Sequence, residues 1–194
     1  VRSLAFTGHR PDKLGGYAPD NPIALKVKAK VEKLVRKAYA ANVRKFIFGM
    51  ALGLDMYALE ICIGLKKEFP DIILVAAVPF ISQAQKWPFG SQERWLWLLS
   101  HCDEIYLVDE APENPVQYRE IVEGWSEADS ESKWSAVTKL HARNRWMMDR
   151  ANFVIAVWDG SSGGTANAVS YALKLGKRVV CYDPFTDKTV TLNG

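Results

Sequence analysis

Apolar positions along the chain follow two alternating periods. Short runs rich in β-branched and aromatic residues read as strands: Ser3–Phe6, Lys45–Phe48, Ile72–Val78, Glu104–Val108, Phe153–Trp158 and Arg178–Tyr182. Between them apolar residues recur at helical spacing. Leu25, Val27, Val31, Leu34, Val35 and Ala38 form one stripe of a helix expected from Pro22 to about Ala41, capped by Asn21. A second helix is expected from the glycine turn near Gly53 to about Phe69, with Ala58, Leu59, Cys62 and Leu65 facing inward. Further helices are expected over about 91–100, 136–150 and 166–177, the last stopped by Gly176. Residues 109–135 lack a clear period and are too long for a simple connection. They read as a surface excursion that holds short helices: a lid, a partner-binding element, or a loop packed by Trp125 and Trp134. The polar stretch from Thr186 is expected to be a loose tail.

Strands alternating with helices imply right-handed βαβ units and the α/β class. The expected architecture is a doubly wound, mainly parallel sheet with helices on both faces. It forms one domain over residues 1–185, followed by a tail over 186–194. In such sheets ligands bind beyond the strand C-termini, near the switch in strand order. That rule collects four distant segments at one edge: Thr7–Arg10, Gly49–Asp55, Pro79–Phe80 and Asp159–Thr165.

Composition narrows the function classes. The 194 residues are 48% hydrophobic and 24% charged, as in a soluble globular protein. A net charge of +3 is too small to point to nucleic acid as partner. No window is apolar enough for a membrane span, and no signal-like segment precedes the first strand. Cys62, Cys102 and Cys181 are odd in number and far apart, which suits a reducing cytoplasm. The expected location is therefore cytoplasmic. His9, His101 and His141 are scattered too, and no Cys/His spacing suggests a metal site.

The segment Asp159-Gly160-Ser161-Ser162-Gly163-Gly164-Thr165 lies between a strand and a helix start. Its backbone amides, at the positive end of a helix dipole, suit an anion. Glycine at Gly163 and Gly164 permits close approach, and Ser161, Ser162 and Thr165 add hydroxyl donors. After the first strand, Thr7, Gly8, His9 and Arg10 offer a guanidinium for paired bonds to phosphate and an imidazole for a base or a proton. Gly49 and Gly53 open the second helix and allow a ligand or another backbone to come close. Asp55 either binds a ribose hydroxyl or caps that helix. Arg143 and Asn144, on the helix before strand five, either clamp a phosphate or are solvated helical residues. Asp159 either contacts a sugar hydroxyl or caps its turn. Trp87, Phe89, Trp95 and Trp97 either stack a base or pack the core. The Gly-x-Ser-x-Gly nucleophile elbow is absent, which argues against a Ser-His-Asp hydrolase.

Taken together, Thr7–Pro11, Gly49–Asp55, Arg143–Asp149 and Trp158–Ala168 resemble the YpsA-like family of bacterial and phage proteins, over roughly residues 3–183. That family belongs to the SLOG superfamily, similar in fold to LOG phosphoribohydrolases and DprA DNA-processing proteins. The resemblance implies a Rossmann-like fold holding a nucleotide or a nucleotide-derived ligand, NAD-derived and cyclic molecules included. It implies no required cofactor, and it allows a homodimer or higher oligomer. Some members of the superfamily cleave N-glycosidic bonds and others sense signals in antiviral defence. LOG enzymes carry Pro-Gly-Gly-x-Gly-Thr-x-x-Glu, whose acid serves catalysis. Aligned on Gly164-Thr165, this chain continues with Ala166, Asn167 and Ala168 and lacks that acid. The expected function is a sensor or sequestering protein for such a ligand. A nucleotide N-glycosidase or deoxyribosyltransferase and a DprA-like single-stranded DNA binder are the alternatives.

Overall fold

The computed structural model describes residues 1–194. Strands β1 (Arg2–Gly8), β2 (Val43–Phe48), β3 (Ile73–Val78), β4 (Glu104–Leu107), β5 (Phe153–Val157), β6 (Arg178–Asp183) and β7 (Lys188–Leu192) form one seven-stranded sheet in the order β4-β3-β2-β1-β5-β6-β7. All neighbours are parallel except β6 and β7, which are antiparallel. The chain builds outward from β1 to β4, then returns to place β5 on the other flank of β1. The switch in strand order is therefore between β1 and β5.

Helices α1 (Pro22–Ala40), α2 (Leu54–Lys66), α3 (Phe89–Leu99), α4 (Tyr118–Glu127), α5 (Lys133–Arg150) and α6 (Gly164–Lys174) cover both faces. Alternation along the strands decides which face each residue serves. Leu4, Phe6, Phe46, Phe48, Ile155 and Val157 pack with Val27, Val31, Leu59 and Trp95 on the side of α1 to α3. Ala5, Ile47, Val75, Val154 and Ala156 pack with Trp146, Met147, Val169 and Ala172 on the side of α5 and α6. The doubly wound, mainly parallel α/β architecture is as the alternation predicts.

Local signals explain the helix starts. The Asn21 side chain accepts a bond from the Ala24 amide at 2.9 Å, and Pro22 opens α1. Helix α2 differs from expectation at its start. Gly53 occupies the cap position with φ 92°, so Asp55 lies inside the first turn and is not the cap.

Two further regions depart from the sequence reading. The 109–135 excursion contains α4, and α5 begins three residues earlier than expected, at Lys133, with Ser132 accepting a bond from the Ser135 amide. Trp125 packs against the core there, whereas Trp134 is 80% exposed. The tail is not loose. Asp183 accepts bonds from the Phe185 amide at 2.9 Å and the Thr186 hydroxyl at 2.8 Å, which closes a turn into β7. The Tyr182 hydroxyl then donates to Asp187 across that hairpin at 2.9 Å. Lys188-Thr-Val-Thr-Leu192 is the β-branched alternation of a sheet edge, hidden in a polar stretch.

Candidate functional site

A cavity of about 480 Å³ opens at the β1/β5 switch point. Three walls meet there. The first follows β1 and supplies Thr7, Gly8, His9, Arg10, Asp12 and Lys13. The second is the Ser161–Thr165 turn with Asn167 on α6. The third is one face of α5, where Val137, Leu140, His141, Asn144 and Met147 recur at helical spacing beside Arg143.

The turn after β5 is held open by its own side chains. The Trp158 indole N–H donates to the Ser161 carbonyl at 2.7 Å, and the Ser161 amide donates to Asp159 Oδ1 at 2.9 Å. Lys13 Nζ donates to Ser161 Oγ at 2.6 Å, which ties the β1 loop to the β5 loop. Gly160 and Gly163 sit at φ 86° and 142°, conformations that side-chain residues rarely adopt. Gly163 stands at the cap position of α6, and no side chain caps that helix. Its first amides are thus left facing the cavity, with the positive end of the dipole behind them.

His9 is buried, with its amide bonded to the Val157 carbonyl at 3.1 Å. Its Nε2 lies 3.2 Å from the Asp159 amide and 2.9 Å from the Asp159 carboxylate. One nitrogen cannot serve both in one protonation state: it accepts from the amide when bare and donates to the carboxylate when protonated. Hydrogen bonding from Ser161, followed by the facing His9, holds the Asp159 carboxyl well below the usual range.

The cavity floor carries a buried pair. Arg143 is 4% and Asp55 8% exposed, with Nη1 and Oδ2 separated by 4.0 Å. Asp55 Oδ2 also accepts from the Ala51 amide at 3.2 Å, and Arg143 Nε donates to Asn144 Oδ1 at 2.9 Å. Arg143 Nη1 and Asp55 Oδ1 have no hydrogen-bond partner. Burial pushes the Asp55 carboxyl up, opposed by Arg143, and pushes the Arg143 guanidinium down, opposed by Asp55. Arg143 is therefore not the solvated helical charge that spacing alone allows.

Comparison with known proteins identifies the family. Residues 4–123 match the model of the YspA SLOG family. The chain belongs to that family. It is 33% identical over 158 residues to the SPbeta prophage-derived protein YoqJ of Bacillus subtilis, covering 79% of this chain and 84% of that protein. A UPF0398 protein of Bacillus licheniformis is 23% identical over 194 residues, covering 100% of this chain and 92% of the relative. Among solved structures, DNA processing protein A from Streptococcus pneumoniae superposes with a TM-score of 0.57 at 15% identity, covering 94% of this chain and 50% of that one. DNA processing protein A from Helicobacter pylori gives 0.53 at 18% identity, with 94% and 65% coverage. At these identities the likeness is one of fold, and the chain spans only half to two thirds of those proteins.

Within this SLOG-family chain, most residues singled out from the sequence line the one cavity. Gly49, Gly53, Pro79 and Asp159 do not line it. Gly49 is packed under Arg143, where a Cβ would lie 2.0 Å from Nη1. Gly53 is packed under the β1 loop, where a Cβ would lie 2.5 Å from the His9 carbonyl. Both glycines admit other parts of the protein. Pro79 is buried at the end of β3, away from the switch point. Asp159 braces the turn from outside. None of the aromatics Trp87, Phe89, Trp95 and Trp97 reaches the cavity, and Trp95 is wholly buried in the core. Lys13, Asp12 and His141 are the polar lining residues that sequence reasoning missed. Once Asn144 is assigned, helical spacing points to His141, whereas nothing but proximity to Arg10 marks Lys13.

Proposed function

We propose that the cavity binds a nucleotide or nucleotide-derived small molecule through its phosphate, and that the protein acts as a sensor or sequestering protein in the cytoplasm. One observation carries this reading: the uncapped start of α6 opens into a cavity where Arg10, Lys13 and Arg143 outnumber the acids Asp12 and Asp55. Anions are favoured where free amides, a helix dipole and cations converge. Ser162 and Thr165 add donors at the same rim, and no cofactor is required. The Arg10 carbonyl accepts from the Lys13 amide at 3.0 Å, whereas its guanidinium makes no hydrogen bond or ion pair inside the protein and is free to close on a phosphate.

Mass spectrometry of small molecules carried through purification, followed by calorimetric titration of the nucleoside 5′-monophosphates, tests this reading. Arg10→Ala and Thr165→Ala should each lose about tenfold in affinity, as expected for one charge-assisted or several neutral contacts. Melting without ligand should be unchanged for Arg10→Ala. Unchanged affinity in both variants, or no bound nucleotide at all, overturns the proposal.

Nucleotide N-glycosidic cleavage or deoxyribosyl transfer is favoured by one feature, the buried Asp55 carboxyl on the cavity floor with its unpartnered Oδ1. Against it, the position of the LOG acid holds Ala168, and neither it nor the preceding Asn167 can stabilise an oxocarbenium-like state by charge. Free base released from nucleoside monophosphates or NAD, and lost in Asp55→Asn, would establish the enzyme. Single-stranded DNA binding has the DprA likeness in fold and little else, given a net charge of +3. Salt-sensitive binding of oligonucleotides in preference to mononucleotides would establish it.

A further inference from the structure

The cavity does not end at α5. A second concavity of about 270 Å³ runs between α5 and α6, lined by His141, Asn144, Arg145, Asn167, Ala168, Ser170, Tyr171 and Lys174. His141, Asn144 and Asn167 line both spaces, so the two adjoin along these side chains. Six of the eight residues lining the outer space are polar, and none is a carboxylate. Its two cations, Arg145 from α5 and Lys174 from α6, form neither an ion pair nor a hydrogen bond with any part of the protein. Asp149, one turn along α5 from Arg145, accepts from the Tyr171 hydroxyl at 2.9 Å. Cations from two different helices at the rim of one concavity favour an anion there. The groove offers one tyrosine, tied down by that bond, the His141 imidazole at the junction of the two spaces, Ala168, and otherwise hydroxyl, amide and cationic groups. Such a lining suits phosphate and sugar better than a stacked base.

We infer that the ligand is a nucleotide with a second phosphoryl-bearing arm, such as a dinucleotide, and that this arm lies in the α5–α6 groove against Arg145 and Lys174. This deepens the proposed function and rests on it. The first phosphate engages the α6 amides with Arg10, Lys13 and Arg143. The chain of the ligand passes His141, Asn144 and Asn167. The second phosphate meets the outer cations.

The test is calorimetric titration of the nucleoside 5′-monophosphates and of linear 5′-phosphorylated dinucleotides and longer oligonucleotides. The proteins are the wild type, the double variant Arg145→Ala/Lys174→Ala, and the charge-matched Lys26→Ala/Lys33→Ala on α1, which packs on the opposite face of the sheet. In the wild type the dinucleotide should bind at least about tenfold tighter than the better of its monophosphates, the gain expected of one added charge-assisted contact. The groove variant should lose that gain and keep monophosphate affinity within about twofold, and the α1 variant should lose neither. Equal loss for both ligands, or equal loss in the α1 variant, reduces the effect to general electrostatics and overturns the second subsite. Affinity that keeps climbing beyond two nucleotides overturns it in favour of a strand path. Monophosphate binding with no dinucleotide gain overturns the subsite alone, whereas absence of binding by every nucleotide also removes the proposed function.

Discussion

Gly49→Ala separates ligand binding from folding at this site. Gly49 follows β2, and its φ is outside the left-handed region, so the backbone accepts alanine. The added Cβ would lie 2.0 Å from Arg143 Nη1, 2.5 Å from Cζ and 3.0 Å from Nε. All three atoms belong to one side chain, and that side chain must move. Displacing the guanidinium breaks its 2.9 Å bond to Asn144 and draws it away from Asp55, which is only 8% exposed. Overpacking and an unmet buried polar group each cost about 1–3 kcal/mol, and one relocation relieves the first at the expense of the second. Stability should therefore fall by about 1–3 kcal/mol, or about 2–4 °C in Tm for each kcal/mol in a domain of this size. Affinity should fall further. A guanidinium–phosphate contact is worth about 1.5–3 kcal/mol, so Kd for nucleoside monophosphates should rise roughly 10- to 150-fold. Urea denaturation and calorimetric titration on the same preparations give both numbers. Gly53→Ala is the control with the opposite balance. Its Cβ would meet backbone, the His9 carbonyl at 2.5 Å and Arg10 Cα at 2.9 Å, at φ 92°. Backbone cannot swing aside, so that variant should lose more stability than Gly49→Ala. If Gly49→Ala binds nucleotide as the wild type does, Arg143 is not part of the anion site.

Two further outcomes follow from the same geometry. The depressed carboxyl of Asp159 contributes stability that is complete above its ordinary value of 3.8 and is lost as pH falls towards the folded value. The melting gap between wild type and Asp159→Asn should therefore be open at pH 7 and narrow below about pH 4, as thermal denaturation across pH will show; a gap independent of pH would mean that the charge on Asp159 contributes nothing. Removing residues 188–194 strips β7 from β6 and bares an edge whose Val179, Cys181 and Tyr182 are buried. The truncated chain should melt several degrees lower, on the order of 1–3 kcal/mol, and aggregate in light scattering, and unchanged melting would make β7 an ornament of the fold.

The fold was legible because local signals agreed with the global pattern. Asn21-Pro22 announced α1, the near-continuous apolar run of β3 announced a strand buried on both faces, and strand–helix alternation announced a parallel sheet. The edge strand β7 was obscured because Lys188–Thr191 are exposed on both faces, so that only Leu192 signals burial. The site was legible where chemistry is local: Thr7–Arg10 and Ser161–Thr165 are each contiguous loops at a strand end. It was illegible where chemistry depends on tertiary approach. A helix position tells nothing of burial by itself, so Arg143 looked like a surface charge. Its partner signal was Gly49, ninety-four positions earlier, whose missing Cβ leaves the room for the guanidinium. The glycines of Gly49–Gly53 invited a ligand on paper, but in the folded chain they admit an arginine and a loop.

That buried pair bears on why the cavity should bind at all. Arg143 Nη1 and Asp55 Oδ1 each lack a partner at the cavity floor. An unmet buried polar atom costs about 1–3 kcal/mol, and folding alone has not recovered that cost here. Both atoms are closed off from solvent, so a ligand's anionic group accepts from Nη1, and a neighbouring hydroxyl donates to Oδ1, only once the two side chains turn toward the cavity. A phosphorylated ribose carries both groups within one small unit. On the proposed function, Asp55 would meet a ribose hydroxyl and Arg143 the phosphate. The 4.0 Å gap between their nearest atoms keeps the two side chains from simply satisfying each other.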